Sequence, residues 1–288
     1  MKAAEVIAAY EASGRYFTAG GIESFVLDRG DGRPVVCLHG VPASAFLFRK
    51  VVDELASRGL RGLAFDLPGL GLAARPAGAD YTWTGLGRFT VAAVNRLGLE
   101  RFHLVIHDIG GPVGLEVAAA LPDRIASITL LNAPVVVDSF RRPWAMEPFA
   151  HRGLGEAYLR ALNPPVFRWL MGRQGITDPS AVTAAELDAY LALLRRGDHG
   201  RAFLKIMRGF ELTRTKRELY QQVLRSDRYP VQIVWGALDP ALRLETHGEQ
   251  ARVAAGLGEI RRIAGKHFFP EDHAAELAEA VASFIGPP

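Results

Sequence analysis

The segment Val105-Ile106-His107-Asp108-Ile109-Gly110-Gly111 decides how the rest of the chain is read. A β-branched run ends in His-Asp, and a glycine pair then opens a stretch of helical character at 112–121. This predicts a strand, a sharp turn and a helix, with one carboxylate at the apex. A carboxylate at the tip of a buried strand is costly unless it is used or satisfied there. Asp108 is therefore read as a nucleophile.

Working outward, the pattern is strand and helix in alternation. Residues 3–12 read as a short helix, and 16–18 and 22–27 as strands around Gly20-Gly21. The turn Gly30-Asp31-Gly32 introduces an apolar strand at 34–38, followed by His39-Gly40-Val41-Pro42 and a helix at 44–58. A strand at 60–65 leads into the loop Asp66-Leu67-Pro68-Gly69-Leu70-Gly71, then come a helix at 83–97 and the strand at 102–106 that delivers Asp108. The next strand, 125–131, ends at Asn132. Such alternation is the signature of a parallel sheet with helices on both faces. It breaks at Ala133-Pro134. Only helical or loop segments follow, clearest at 186–195 and 201–210, until a strand at 231–235. A helix at 245–255, a short strand at 259–263 and a helix at 274–285 resume the pattern. The expected organisation is an α/β core from residues 1–134 and 230–288, with a helical cap from 135–229. A block inserted there lies over the carboxyl ends of the strands, where such sheets place their sites.

At 288 residues, with 49% hydrophobic and 23% charged residues, the chain can bury a large core. The net charge of +3 reflects 34 Lys and Arg against 31 Asp and Glu, in no run longer than a pair such as Arg141-Arg142. Nucleic-acid binding needs a concentrated basic stripe, so that class is set aside. The single cysteine, Cys37, excludes an internal disulfide and sits in an apolar run as an inert thiol. No secretory signal is read at the start, and no stretch approaches the roughly 18 apolar residues of a membrane span. A cytoplasmic protein is expected. Eight histidines without a close carboxylate–His helix motif argue against a metal site.

Two further strand ends carry chemistry. Asp239 follows the strand at 231–235, in Gly236-Ala237-Leu238-Asp239-Pro240, and His267 follows the strand ending near Ile263. Nucleophile, acid and histidine in that order match the triad of α/β-hydrolases. The acid would orient the imidazole, and the imidazole would take a proton. Backbone N–H groups at Val41 and Ile109 would form an oxyanion hole. The usual elbow has glycine two residues before and after the nucleophile. Gly110 supplies the later one, and Ile106 stands at the earlier.

On His39-Gly40-Val41-Pro42, Asp66-Leu67-Pro68-Gly69-Leu70-Gly71, His107-Asp108-Ile109-Gly110-Gly111, Asp239 and His267, the chain resembles the α/β-hydrolase superfamily. The branch resembled holds epoxide hydrolases and haloalkane dehalogenases. The resemblance implies an alkyl-enzyme ester on Asp108, hydrolysed by water that His267 activates, with no metal or organic cofactor. It implies a small apolar substrate and water as partners, no nucleic acid and no membrane; a homodimer is compatible with it. For an epoxide, ring opening would take a hydroxyl acid from the cap, with Tyr158, Tyr190 and Tyr220 as candidates and His151 as a weaker one. Met207 stands where the family usually has a tyrosine before Arg208. For a halide, donors would come from Trp144 or Trp169, because Ile109 replaces the usual tryptophan and Val41 the usual asparagine. Epoxide hydrolysis is the first expectation and haloalkane dehalogenation the alternative; a non-catalytic binding protein on this fold is the reading from another class. Asn132 reads equally as a turn residue or a functional one, and His39 and His107 as hydrogen-bonded supports. Phe167 and Met171 are expected to line the pocket or to bury the cap against the core.

Overall fold

The computed structural model describes residues 2–286. Helix α1 (Ala3–Ala12) leads into the hairpin of β1 (Arg15–Ala19) and β2 (Ile22–Arg29), which turns on Gly20-Gly21 at positive φ. Alternation follows: β3 (Arg33–Leu38), α2 (Arg49–Ser57), β4 (Leu60–Phe65), α3 (Trp83–Arg96), β5 (Phe102–His107), α4 (Gly110–Ala120) and β6 (Ile125–Leu131). Five helices then intervene before the next strand: α5 (Leu154–Ala161), α6 (Pro164–Gln174), α7 (Ala184–Arg195), α8 (Arg201–Arg208) and α9 (Arg214–Leu224). Strand β7 (Val231–Gly236), α10 (Glu249–Ala255), β8 (Arg261–Ile263), α11 (Phe269–Asp272) and α12 (Ala274–Ile285) follow.

One eight-stranded sheet takes the order β1-β2-β4-β3-β5-β6-β7-β8. β1, β2 and β4 pair antiparallel, and every later pairing is parallel. β5 is buried at every residue, as a strand covered on both faces must be. It lies between β3 and β6, so the turn after it opens near the middle of the sheet's carboxyl edge.

The elements fall where the apolar pattern places them, with three adjustments. The helix expected from 44 begins as a tight 3₁₀ turn, Ala45–Phe48, on which the Ser44 hydroxyl accepts the Phe46 N–H at 3.3 Å. The helix expected from 245 opens as a wide π turn, Leu244–Gly248. The strand expected at 259–263 keeps three residues, because at the sheet edge only β7 can pair with it.

A buried ion network ties the insertion to the core. Glu271 of α11 has no exposed side-chain surface; it accepts both prongs of Arg49 of α2, at 2.6 and 2.5 Å. Tyr190 of α7 donates its hydroxyl to the same carboxylate at 2.6 Å, and Arg49 also reaches Glu186 of α7 at 2.6 Å. A buried charge with this many partners is tolerated, whereas removing one partner would strand the others.

Candidate active site

Asp108 stands at φ +52°, left-handed backbone that Asp adopts more readily than most residues, at a cost of about 1–2 kcal/mol. The Gly111 N–H closes the turn on the Asp108 carbonyl at 2.9 Å. Small residues make the turn passable. A Cβ on Gly110 would lie 2.3 Å from the Leu38 carbonyl oxygen, and one on Gly111 would lie 2.5 Å from Ala133 Cβ. Ile106 fits without a glycine of its own because Gly114 of α4 faces it. A Cβ there would meet Ile106 Cγ2 at 2.4 Å, so the relief sits on the helix instead of the strand. Gly40 serves the same end across the site: its Cβ would stand 2.1 Å from Asp108 Oδ1. Its absence lets the Val41 N–H donate to that oxygen at 2.9 Å. The Ile109 N–H makes no such bond to Asp108, although Ile109 lines the same cavity.

The structure brings Asp108, His267 and Asp239 together. His267 Nε2 lies 3.5 Å from Asp108 Oδ2, and His267 Nδ1 lies 2.7 Å from Asp239 Oδ2. Asp239 is further held by the N–H groups of Ala241 and Leu242, at 2.7 and 2.9 Å on Oδ1. Asn132 proves to be part of this assembly. Its Nδ2 donates to Asp239 Oδ2 at 2.6 Å and its Oδ1 accepts the Gly236 N–H at 2.7 Å, so it clamps the acid to β7. Its place at the end of β6 was the only signal in the sequence.

Electrostatics follow from this geometry. Burial opposes a charge on His267, but the charge of Asp239 and the bonds to both carboxylates prevail, lifting the imidazole to about 10. Burial also opposes ionisation of the two aspartates, and there too the imidazolium prevails, holding both carboxyls below the usual range. The resting state is therefore carboxylate, imidazolium, carboxylate. His107 and His39 are supports. His107 Nε2 donates to the His267 carbonyl at 2.8 Å, and burial followed by repulsion from His267 pushes the ring down to about 4. His39 Nδ1 donates to the Gly40 carbonyl at 3.0 Å while Nε2 accepts the Leu67 N–H at 3.0 Å; burial also holds this ring near 4. Each tautomer follows from its partner, since a carbonyl only accepts and an N–H only donates.

Asp108 and His267 open onto a cavity of about 70 Å³. Its walls are mainly apolar: Pro42, Ile109, Phe140, Met146, Met207, Phe210 and Phe268 among them. A larger groove of about 660 Å³ runs between α1, α2 and the start of α7, but it contains none of the three residues.

The five expected leaving-group donors do not line the cavity. Tyr190 is committed to Glu271, and the Tyr220 hydroxyl donates to Glu116 at 2.9 Å. Tyr158 packs on Phe149 at 4.9 Å between ring centres. Trp144 and Trp169 are 67% and 56% exposed, facing away from the interior. His151 is exposed and pairs with Glu147 at 3.1 Å. Phe167 and Met171 are buried and pack in the core, outside the lining. Two polar side chains from the insertion take these places, Arg142 and Gln174. Neither was legible in the sequence. Arg141-Arg142 is only a short basic pair in the sequence, and Gln174 is the last residue of a polar helix end.

Sheet order, elbow and triad geometry together define an α/β-hydrolase. The alpha/beta hydrolase fold family matches residues 33–274, and the chain belongs to that family. Among its relatives is a haloalkane dehalogenase from Mycolicibacterium paratuberculosis, 28% identical over 265 residues, spanning 90% of this chain and 86% of the relative. The crystal structure of Cfl2 from Burkholderia cenocepacia superposes with a TM-score of 0.82 at 25% identity, covering 95% of each chain. An epoxide hydrolase from Vigna radiata shares the fold, with a TM-score of 0.75 at 22% identity over 94% of this chain and 97% of that one. No helix among the described residues is long and apolar enough to cross a membrane.

Proposed function

We propose that this hydrolase cleaves a carbon–heteroatom bond at an sp³ carbon, with Asp108 as nucleophile, His267 as general base and Asp239 as its partner. The segment 135–229 acts as a cap that closes the site over a small substrate. The observation that carries the reading is the pairing of Asp108 Oδ1 with the Val41 N–H while Oδ2 faces His267. Oδ2 attacks carbon, and the leaving group departs with the bonding electron pair. Esterification removes the Asp108 charge, and with it part of what holds His267 protonated. The imidazolium then gives its proton to solvent, and the neutral imidazole takes a proton from water, whose hydroxide adds to Asp108 Cγ. Negative charge gathers on Oδ1 beside the Val41 N–H. Collapse releases the alcohol, which takes the proton from His267, and the Asp108 carboxylic acid so formed passes its proton to His267, restoring carboxylate and imidazolium.

Of the two substrate classes, a carbon–halogen bond fits better. A halide leaves as an anion and needs only N–H donors, such as Gln174 in the cavity wall. A ring-opened epoxide needs a proton, and no tyrosine hydroxyl lines the cavity. The dehalogenase relative supports this order. The His39-Gly40-Val41-Pro42 loop is what favours epoxide opening as the second reading.

The test is His267→Gln incubated with short haloalkanes, haloacids and epoxides, followed by intact-mass measurement. One substrate equivalent should accumulate on the peptide containing Asp108, with release of halide for a halogenated member. A variant that traps nothing, together with a wild type inert on the whole panel, would sink the nucleophile assignment.

A further inference from the structure

We propose that Arg142 is an anion-recognition residue that selects short substrates bearing a carboxylate at the end away from the reacting carbon. The inference rests on Asp108 being the nucleophile and names the substrate class for that same site.

Arg142 is a cation in the wall of a small, mainly apolar cavity, with its side chain only 14% exposed. A guanidinium has five N–H donors in a planar fork. Few are used here. One terminal nitrogen donates to the Met207 carbonyl at 2.9 Å, and the other is 3.9 Å from Glu147, beyond hydrogen-bond range. Nε is buried with no partner. The plane lies 4.6 Å from the centre of the Phe210 ring, which holds it in place without neutralising it. Burial pulls its pKa down and Glu147 only partly restores it, as expected of an under-partnered cation. Half-buried cations with idle donors in a dry wall call for an anion, and the fork suits a carboxylate best.

The charge balance agrees. Asp108, His267 and Asp239 carry one net negative charge in the resting state described above. A carboxylate substrate would be repelled by that charge, and Arg142 offsets the repulsion. Size narrows the choice. A cavity of about 70 Å³ favours a short-chain occupant.

Binding is measured without turnover, so it does not depend on the nucleophile assignment. Asp108→Asn is titrated calorimetrically with propionate, propionamide and chloride. Propionate should bind saturably, with propionamide at least about tenfold weaker and chloride weaker than propionate. Adding Arg142→Gln should weaken propionate at least about tenfold and leave propionamide unchanged. In the otherwise native enzyme, Arg142→Gln should lower the kcat/KM ratio of chloroacetate to chloroacetamide by a similar factor. Should Arg142→Gln lose its far-UV circular dichroism, Arg142→Lys is read instead. It keeps the charge and loses the fork, and propionate alone should weaken. Absent propionate binding, propionate binding unchanged by either folded variant, or propionamide binding as tightly as propionate would overturn the proposal. Chloride binding as tightly as propionate would overturn it too, by assigning Arg142 to the leaving halide.

Discussion

Replacing Asn132 with alanine separates the clamp on Asp239 from the triad itself. In the native protein the Asn132 amide donates to Asp239 Oδ2 at 2.6 Å and to the Gly236 carbonyl at 3.3 Å, and accepts the Gly236 N–H at 2.7 Å. All of this is inaccessible to water. The bond to the carboxylate is charge-assisted and contributes about 1.5–3 kcal/mol, and leaving the Gly236 N–H without an acceptor costs about 1–3 kcal/mol more. Together they amount to a loss of about 2.5–6 kcal/mol. At roughly 2–4 °C per kcal/mol for a chain of this size, the melting temperature should fall by about 5–24 °C. Activity should change selectively. Asp239 acts on the reaction only through His267, so alkylation of Asp108 should keep its rate. Ester hydrolysis should slow by about ten- to a hundredfold, below the roughly 10²–10⁴ that a general base supplies. Calorimetric melting and rapid-quench measurement of the covalent intermediate read the two quantities. A melting temperature within about 2 °C of wild type, with hydrolysis within about twofold, would refute the clamp. Equal slowing of both chemical steps would refute its confinement to the acid.

Tyr190→Phe removes one donor from Glu271 while Arg49 remains. It should cost about 1–3 kcal/mol in urea unfolding and leave kcat within about threefold, whereas a ring-opening acid would lose far more. The triad also sets a pH dependence of stability. His267 is held up to about 10 against an ordinary 6.5, so the folded state binds that proton more tightly. Its contribution is complete below about pH 6.5 and is lost as pH rises toward 10. The two aspartates, held below the ordinary 3.8, contribute above that value and lose their share in acid. Urea midpoints from pH 6 to 9.5 should therefore fall more steeply for wild type than for His267→Gln. Parallel curves would contradict the imidazolium assignment.

Alternating apolar runs were enough to place the strands and most helices, because period and punctuation are local properties of the chain. The triad was legible for a related reason: in a parallel sheet, residues following strand ends converge on one edge, whatever the helices between them do. The missing glycine at Ile106 looked like a departure from the elbow until Gly114, eight positions on, was seen to make the room. The insertion behaved differently. Tyr158, Tyr190, Tyr220, Trp144 and Trp169 have suitable chemistry, yet a helix in an insertion can turn any face to the core, and packing chose others. Tyr190 went to Glu271, Tyr220 to Glu116 and both tryptophans to the surface. Arg142, one of an adjacent arginine pair, was turned inward by the stretch before α5. The sheet, the elbow and the order of Asp108, Asp239 and His267 are legible from spacing along the chain alone. Which side chains of the inserted helices line the cavity beside Asp108 emerges only in three dimensions, since that depends on how helices with no strand between them pack on the strand ends.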